Sequence, residues 1–195
     1  MKKLVVLLMA ALCATSAMAQ IDTDANQIGV YFDEAATLVE GTGPIAYAYV
    51  VLTNGTMPSV KSFDCKIWVD GDTAGMSWTR FDGPTGPNTT IAYDATLQEY
   101  AVSYLEPRPY TGTTMTLLTK LLYDMVGGQQ LCFTVDAPVG NPDNPGYCTV
   151  YSEAGGDFTL CGSSANGGHS ASFNGACVVV ATENASFSHL KALYR

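Results

Sequence analysis

The sequence predicts an all-β protein, an antiparallel β-sandwich behind a cleavable export signal. Three observations carry this expectation. Short runs of alternating apolar and polar residues recur along the chain, each closed by a cluster of Gly, Pro, Asn or Asp. Charged residues make up only 14% of the chain while Gly, Tyr, Thr and Val are plentiful, which suits half-buried strands of an extracellular domain. Five cysteines follow the leader, as expected of a protein that matures where thiols oxidise.

The leader is MKKLVVLLMAALCATSAMA. Lys2 and Lys3 form a positive start, Leu4 to Leu12 an apolar run, and Ala17-Met18-Ala19 a small-x-small cleavage site. The run falls well short of the roughly 20 apolar residues of a membrane span. Leu12 precedes Cys13 where a lipoprotein signal needs a small residue. Residues 1–19 are therefore expected to be a signal peptide and 20–195 a single sandwich domain, with a secreted, periplasmic or cell-surface destination and no membrane insertion after cleavage. Loss of Lys2 and Lys3 leaves seven basic residues against 18 acids, taking the net charge from −9 to about −11. So acidic a chain, with its basic residues scattered, is not expected to bind nucleic acid or an anionic membrane.

The strands follow in order. QIGVYFD (27–33) is the first, and IAYAYVVLT (45–53) the second, bracketed by GTGP and NGTMPS. KSFDCKIWV (61–69) places Phe63, Cys65, Ile67 and Val69 on one face and Asp64, Lys66 and Trp68 on the other. DGDTAG then turns the chain into MSWTRF (76–81). IAYDA (91–95) and EYAVSYL (99–105) are further short strands. The segment 113–128, TTMTLLTKLLYDMVGG, is ambiguous: Leu117, Leu118, Leu121, Leu122 and Met125 have helical spacing, whereas the Thr-rich start and the alternation of Met115 and Leu117 suit a strand. A long strand with a bulge fits the β context. QQLCFTVDAP (129–138) is a strand, and YCTVYSE (147–153) is expected to pair with it as a hairpin. DFTLCG (157–162) and ACVVVATE (176–183) are expected to form the next hairpin, around a Gly/Ser-rich loop with His169 at its tip.

These hairpins set the expected crosslinks. Each encloses about 15 residues between its cysteines, so Cys132–Cys148 and Cys161–Cys177 are the expected disulfides, with Cys65 a free thiol in the core. Seven residues separate His169 from each of Cys161 and Cys177, a spacing unlike that of close zinc-ligand pairs, and a Gly-rich loop is a poor platform for a nucleophile and its base. Asp70 and Asp72 alternate as in calcium loops but lack the third carboxylate and the distal Glu. No catalytic residue, metal or cofactor is assigned. The aromatic residues Trp68, Trp78, Tyr93, Tyr100 and Tyr104 are the candidates for a binding platform, Trp68 first because it is out of phase with the core face.

IGVYFDEAAT (28–37), AYVVLTN (48–54), SFDCKIWV (62–69) and SHLKALYR (188–195) resemble stretches of a group of small secreted bacterial proteins of unassigned function. In order and spacing the strands also resemble a cohesin-type or immunoglobulin-type sandwich. The resemblance implies the fold, and little about function, because sandwiches host many roles. The expected function is an exported, non-catalytic binding or structural module that meets a protein or glycan; the alternative is a secreted hydrolase acting on carbohydrate or protein. The sequence sets no oligomeric state.

Overall fold

The computed structural model describes residues 24–71, 73, 80–83, 89–138, 147–152, 158–163 and 171–177. The leader, Trp78, His169, residues 178–183 and the SHLKALYR tail lie outside the described residues. Every regular element among the described residues is a strand: β1 (Gln27–Tyr31), β2 (Glu40–Gly41), β3 (Ile45–Thr53), β4 (Ser59–Gly71), β5 (Thr89–Asp94), β6 (Glu99–Pro109), β7 (Thr114–Tyr123), β8 (Leu131–Asp136), β9 (Tyr147–Tyr151), β10 (Phe158–Ser163) and β11 (Ala171–Phe173).

The strands form a two-layer β-sandwich. Hydrogen bonds run in one continuous path, β2–β11–β8–β4–β9–β10–β1–β3–β7, with β6 and then β5 added at β4; the layers β5–β6–β4–β8–β11–β2 and β9–β10–β1–β3–β7 meet where β4 pairs with β9. Strand β4 joins the two. One of its edges pairs with β6. Along the other edge, Ser62 to Asp64 pair with β9, and Lys66 to Gly71 pair with β8. All but two of the pairings are antiparallel; β1 with β10 and β2 with β11 are parallel. Apolar residues from both layers merge into one core, with Val30, Val50 and Leu118 facing Ile67, Val102 and Phe133. Rings brace it: Phe32, just past β1, stacks on Phe173 of β11 at 6.0 Å, and Phe133 of β8 lies 6.3 Å from Phe32 and 6.1 Å from Phe81.

The ambiguous leucine-rich segment is strand β7. Its register against β3 jumps from Val50↔Leu118 to Val51↔Thr116, so Leu117 is the extra residue of a bulge. Leu117 and Leu118 are both fully buried. Adjacent buried leucines on a bulged strand mimic a helical repeat, which is why the sequence read both ways.

The expected hairpin of Cys132 and Cys148 does not form, residues 178–183 of the other lie outside the described residues, and neither expected disulfide is present. Strand β9 pairs with β4 and β10, not with β8. Cys132 stands opposite Asp70, while Thr149, next to Cys148, stands opposite Asp64. Cys132 and Cys148 are thus separated by roughly five residues along β4, or about 17 Å at strand rise, far beyond the ~7 Å that a disulfide tolerates between Cα atoms. Cys161 and Cys177 likewise separate, because β10 pairs with β9 and β1 whereas β11 crosses to β8. The bond that exists is Cys132–Cys177, with Cα atoms 5.8 Å apart. Cys65, Cys148 and Cys161 are free and buried.

The turn from β7 to β8 is organised by Asp124. Its carboxylate accepts bonds from the amides of Val126 (3.2 Å), Gly127 (2.7 Å) and Gln129 (3.0 Å), and from Asn174 Nδ2 beyond β11 (2.9 Å). Burial alone would raise the Asp124 pKa, but these amides together outweigh it and hold the carboxyl below its usual value. A carboxylate whose pKa is lower in the folded than in the unfolded state contributes stability above the unfolded pKa and loses it as pH falls through the folded one. Asp124→Asn is therefore expected to melt at a lower temperature than wild type at pH 7. The gap should narrow as pH drops below about 4, as thermal melts across pH would show. A gap independent of pH would mean that the amide network does not depend on the charge.

Candidate binding surface

The predicted aromatic platform is dispersed. Tyr100 and Tyr104 share the core phase of β6 with Val102 and are almost fully buried. Burial pushes both phenols up, above the usual tyrosine value. Tyr100 Oη accepts a bond from the Phe81 amide at 3.0 Å, and the Arg108 guanidinium lies 5.2 Å from the Tyr104 ring. These two are core residues, because strand alternation carries them inward with Val102; as platform residues they are corrected. Tyr93 is half-buried with its ring 4.7 Å from that of Tyr100. Trp68 is 40% exposed, but the Lys66 ammonium sits 3.8 Å from its ring centroid and covers one face.

Among the described residues, a run of exposed apolar side chains lies in the other layer, on the outer face of β3 and β7. Alternation along IAYAYVVLT puts the small Ala48 and the branched Val50 in the core and turns Ile45, Tyr47 and Tyr49 outward. Register places Ile45 opposite Tyr123 and Tyr47 opposite Leu121. Ile45 is 55% exposed, Tyr47 54% and Tyr123 41%. The Tyr47 and Tyr49 rings stack at 6.1 Å. Met125 and Val126, just beyond β7, are more exposed still.

One end of this face is closed. The turn after β1 folds over it, and Tyr31, Ala36 and Val51 are buried there with Val39 and Tyr49 packed against them. Asp33 holds that turn: its carboxylate accepts bonds from the Thr37 amide (2.8 Å), the Thr37 hydroxyl (2.7 Å) and the Leu38 amide (2.8 Å). Burial first, then the charges of Glu34 and Asp33 and the neighbouring Tyr47, raises the Tyr49 phenol. The apolar strip thus has an acidic rim. These residues lie apart from the aromatic set expected around Trp68. The available signal was the alternation itself, with bulky side chains outward and small ones inward.

A hollow of about 510 Å³ lies on the β4–β6–β5 face, bordered by Asp64, Asp94, Glu99 and Tyr93. Two of these acids are engaged by backbone. Asp64 accepts a bond from the Thr149 amide at 2.8 Å, and Asp94 from the amides of Thr96 and Leu97 at 2.8 and 3.0 Å. Among the described residues, no group of three or more His, Cys, Asp or Glu is placed to hold a metal ion.

Neither a family model nor a curated protein matches the sequence. Among solved structures, the chain is similar to the sixth cohesin of scaffoldin B from Acetivibrio cellulolyticus, solved with a dockerin. That pair is 12% identical with a TM-score of 0.49, over 77% of this chain and 99% of that one. It is similar also to the cohesin module of a family 33 glycoside hydrolase from Clostridium perfringens, at 8% identity and a TM-score of 0.44, over 72% of this chain and 98% of that one. The seventh type I cohesin of a scaffoldin from Pseudobacteroides cellulosolvens is 7% identical with a TM-score of 0.45, over 80% of this chain and 94% of that one.

Proposed function

We propose that this chain is an exported, non-catalytic binding module that meets a protein or glycan through the outer face of β3 and β7. The observation that carries the reading is the register-paired exposure of Ile45, Tyr47 and Tyr123, with Met125 and Val126 at its end. Contiguous apolar surface with a polar rim is the signature of an interaction site. Tyrosine suits it, offering broad area at little entropic cost and a hydroxyl for a polar partner. The Cys132–Cys177 bond and the leader's pattern support export. The hydrolase alternative would need free carboxylates in the β4–β6–β5 hollow. The engagement of Asp64 and Asp94 by backbone amides favours binding instead.

The experiment is a panel of immobilised glycans and surface proteins probed with the chain lacking residues 1–19, alongside Tyr47→Ala/Tyr123→Ala. The ligand found with wild type should bind the double variant at least about 30-fold more weakly, as loss of a central aromatic anchor implies. Equal binding by both would remove the β3–β7 face from consideration. Turnover of a glycan or peptide that Asp64→Asn abolishes would favour the hydrolase.

A further inference from the structure

After the Cys132–Cys177 bond, three buried thiols remain, and they stand in a row across adjacent strands. Cys161 of β10 is the direct antiparallel partner of Cys148 of β9. Cys65 of β4 follows Asp64, whose partner is Thr149, the neighbour of Cys148. The register of β10 on β9 and of β9 on β4 thus sets the three cysteines on neighbouring strands at one level of the sheet.

We propose that Cys148 and Cys161 are an oxidation site, closed as a second disulfide during export, while Cys65 stays reduced. Directly opposed residues of an antiparallel pair project to the same face with Cα atoms about 4.5–5.5 Å apart. That interval falls inside the roughly 4.4–6.8 Å span of disulfides. Cys65 is the poorer partner, because the registered pairing of β4 with β9 ends at Asp64 and β4 pairs with β8 from Lys66, whereas Cys161 is paired with Cys148 directly.

The oxidant is an external disulfide, carried by a protein or a small molecule. The thiolate of one cysteine attacks a sulfur of that disulfide and displaces the other sulfur as a thiolate. The second cysteine then attacks the mixed disulfide and releases the remaining sulfur. Two thiols of this chain are oxidised, the external disulfide is reduced to two thiols, and the two protons pass to them.

The folded state sets when this happens. Burial pushes the Cys161 thiol up to about 12 and the Cys148 thiol well above its ordinary value, so neither supplies thiolate once packed. Cys148 holds its proton toward the Asp136 carbonyl at 3.4 Å. Both cysteines are also fully buried, out of reach of an external disulfide, so exchange precedes the docking of β10 between β9 and β1.

The test is a thiol count on the exported protein, denatured and alkylated without reductant, with the alkylated sites located by mass. The expected result is one alkylated cysteine, Cys65, out of five. Cleavage after acidic residues separates Cys148 from Cys161 at Glu153 and Asp157, so the linkage can be read from peptides. Cys161→Ala should raise the count to two, adding Cys148, and Cys65→Ala should lower it to none. Three alkylated thiols with Cys132–Cys177 intact, five alkylated thiols, or a Cys65–Cys148 linkage would each overturn the proposal. The wild-type count decides even where a variant fails to fold.

Discussion

A Cys132→Ser/Cys177→Ser variant is expected to lose about 4 kcal/mol of unfolding free energy, the chain-entropy value for a loop of this size. The bond spans 45 residues, from β8 to the segment just beyond β11. Without it, the unfolded chain regains the freedom that the crosslink removes. The native state also loses a tether where it needs one. β11 is only three residues long, and it carries Phe173, which is fully buried and stacked on Phe32. Urea unfolding should show a lower midpoint, and amide exchange should rise first at Ser172, whose N–H donates to Val39 O at 2.8 Å. An unchanged midpoint would mean that the crosslink constrains a region already loose in the native state.

Phe133→Ala should destabilise the fold by about 3–5 kcal/mol, the range for emptying a buried aromatic site. Phe133 has no exposed surface, and its ring meets Phe32 and Phe81 edge-on at 6.3 and 6.1 Å. Its strand is held on both sides, by Val69 of β4 and Ala171 of β11, so the backbone has little room to collapse into the void. Such a loss is a large share of the roughly 5–15 kcal/mol that keeps a typical domain folded. Phe133→Leu should cost less, because it keeps most of the apolar volume and forfeits mainly the ring contacts, worth about 0.5–1.5 kcal/mol each. If both variants lost the same amount, ring geometry rather than the cavity would dominate.

Much of the strand inventory was legible in the sequence because alternation is a local property. Phe63, Cys65 and Ile67 turn inward, Trp68 turns outward, and the helix-like leucines of β7 resolve into a bulged strand. Partners were not legible. Proximity in sequence pointed to hairpins joining β8 to β9 and β10 to the segment after it, whereas β9 and β8 share one edge of β4 end to end. A sandwich is closed by pairings between distant segments, and nothing local marks which strand edge a segment will reach.

The binding surface divides in the same way. The outward phase of Ile45, Tyr47 and Tyr49 is written in IAYAYVVLT, but only the ladder with β7 sets Tyr123 beside Ile45 and makes a continuous patch of separate side chains. Tyr100 and Tyr104 show the converse: aromatic by sequence, they belong to the core because Val102 fixes the inward phase of β6. Sequence alone determined the β character, the candidate leader, the acidic charge and the inward or outward sense of many strand residues, since each depends on composition or on a period of two. Tertiary structure decided the crosslink at Cys132–Cys177, the row of three thiols and the exposed face of β3 and β7. Each of these depends on which distant strands share hydrogen bonds, and that is settled by burying one common core from both layers.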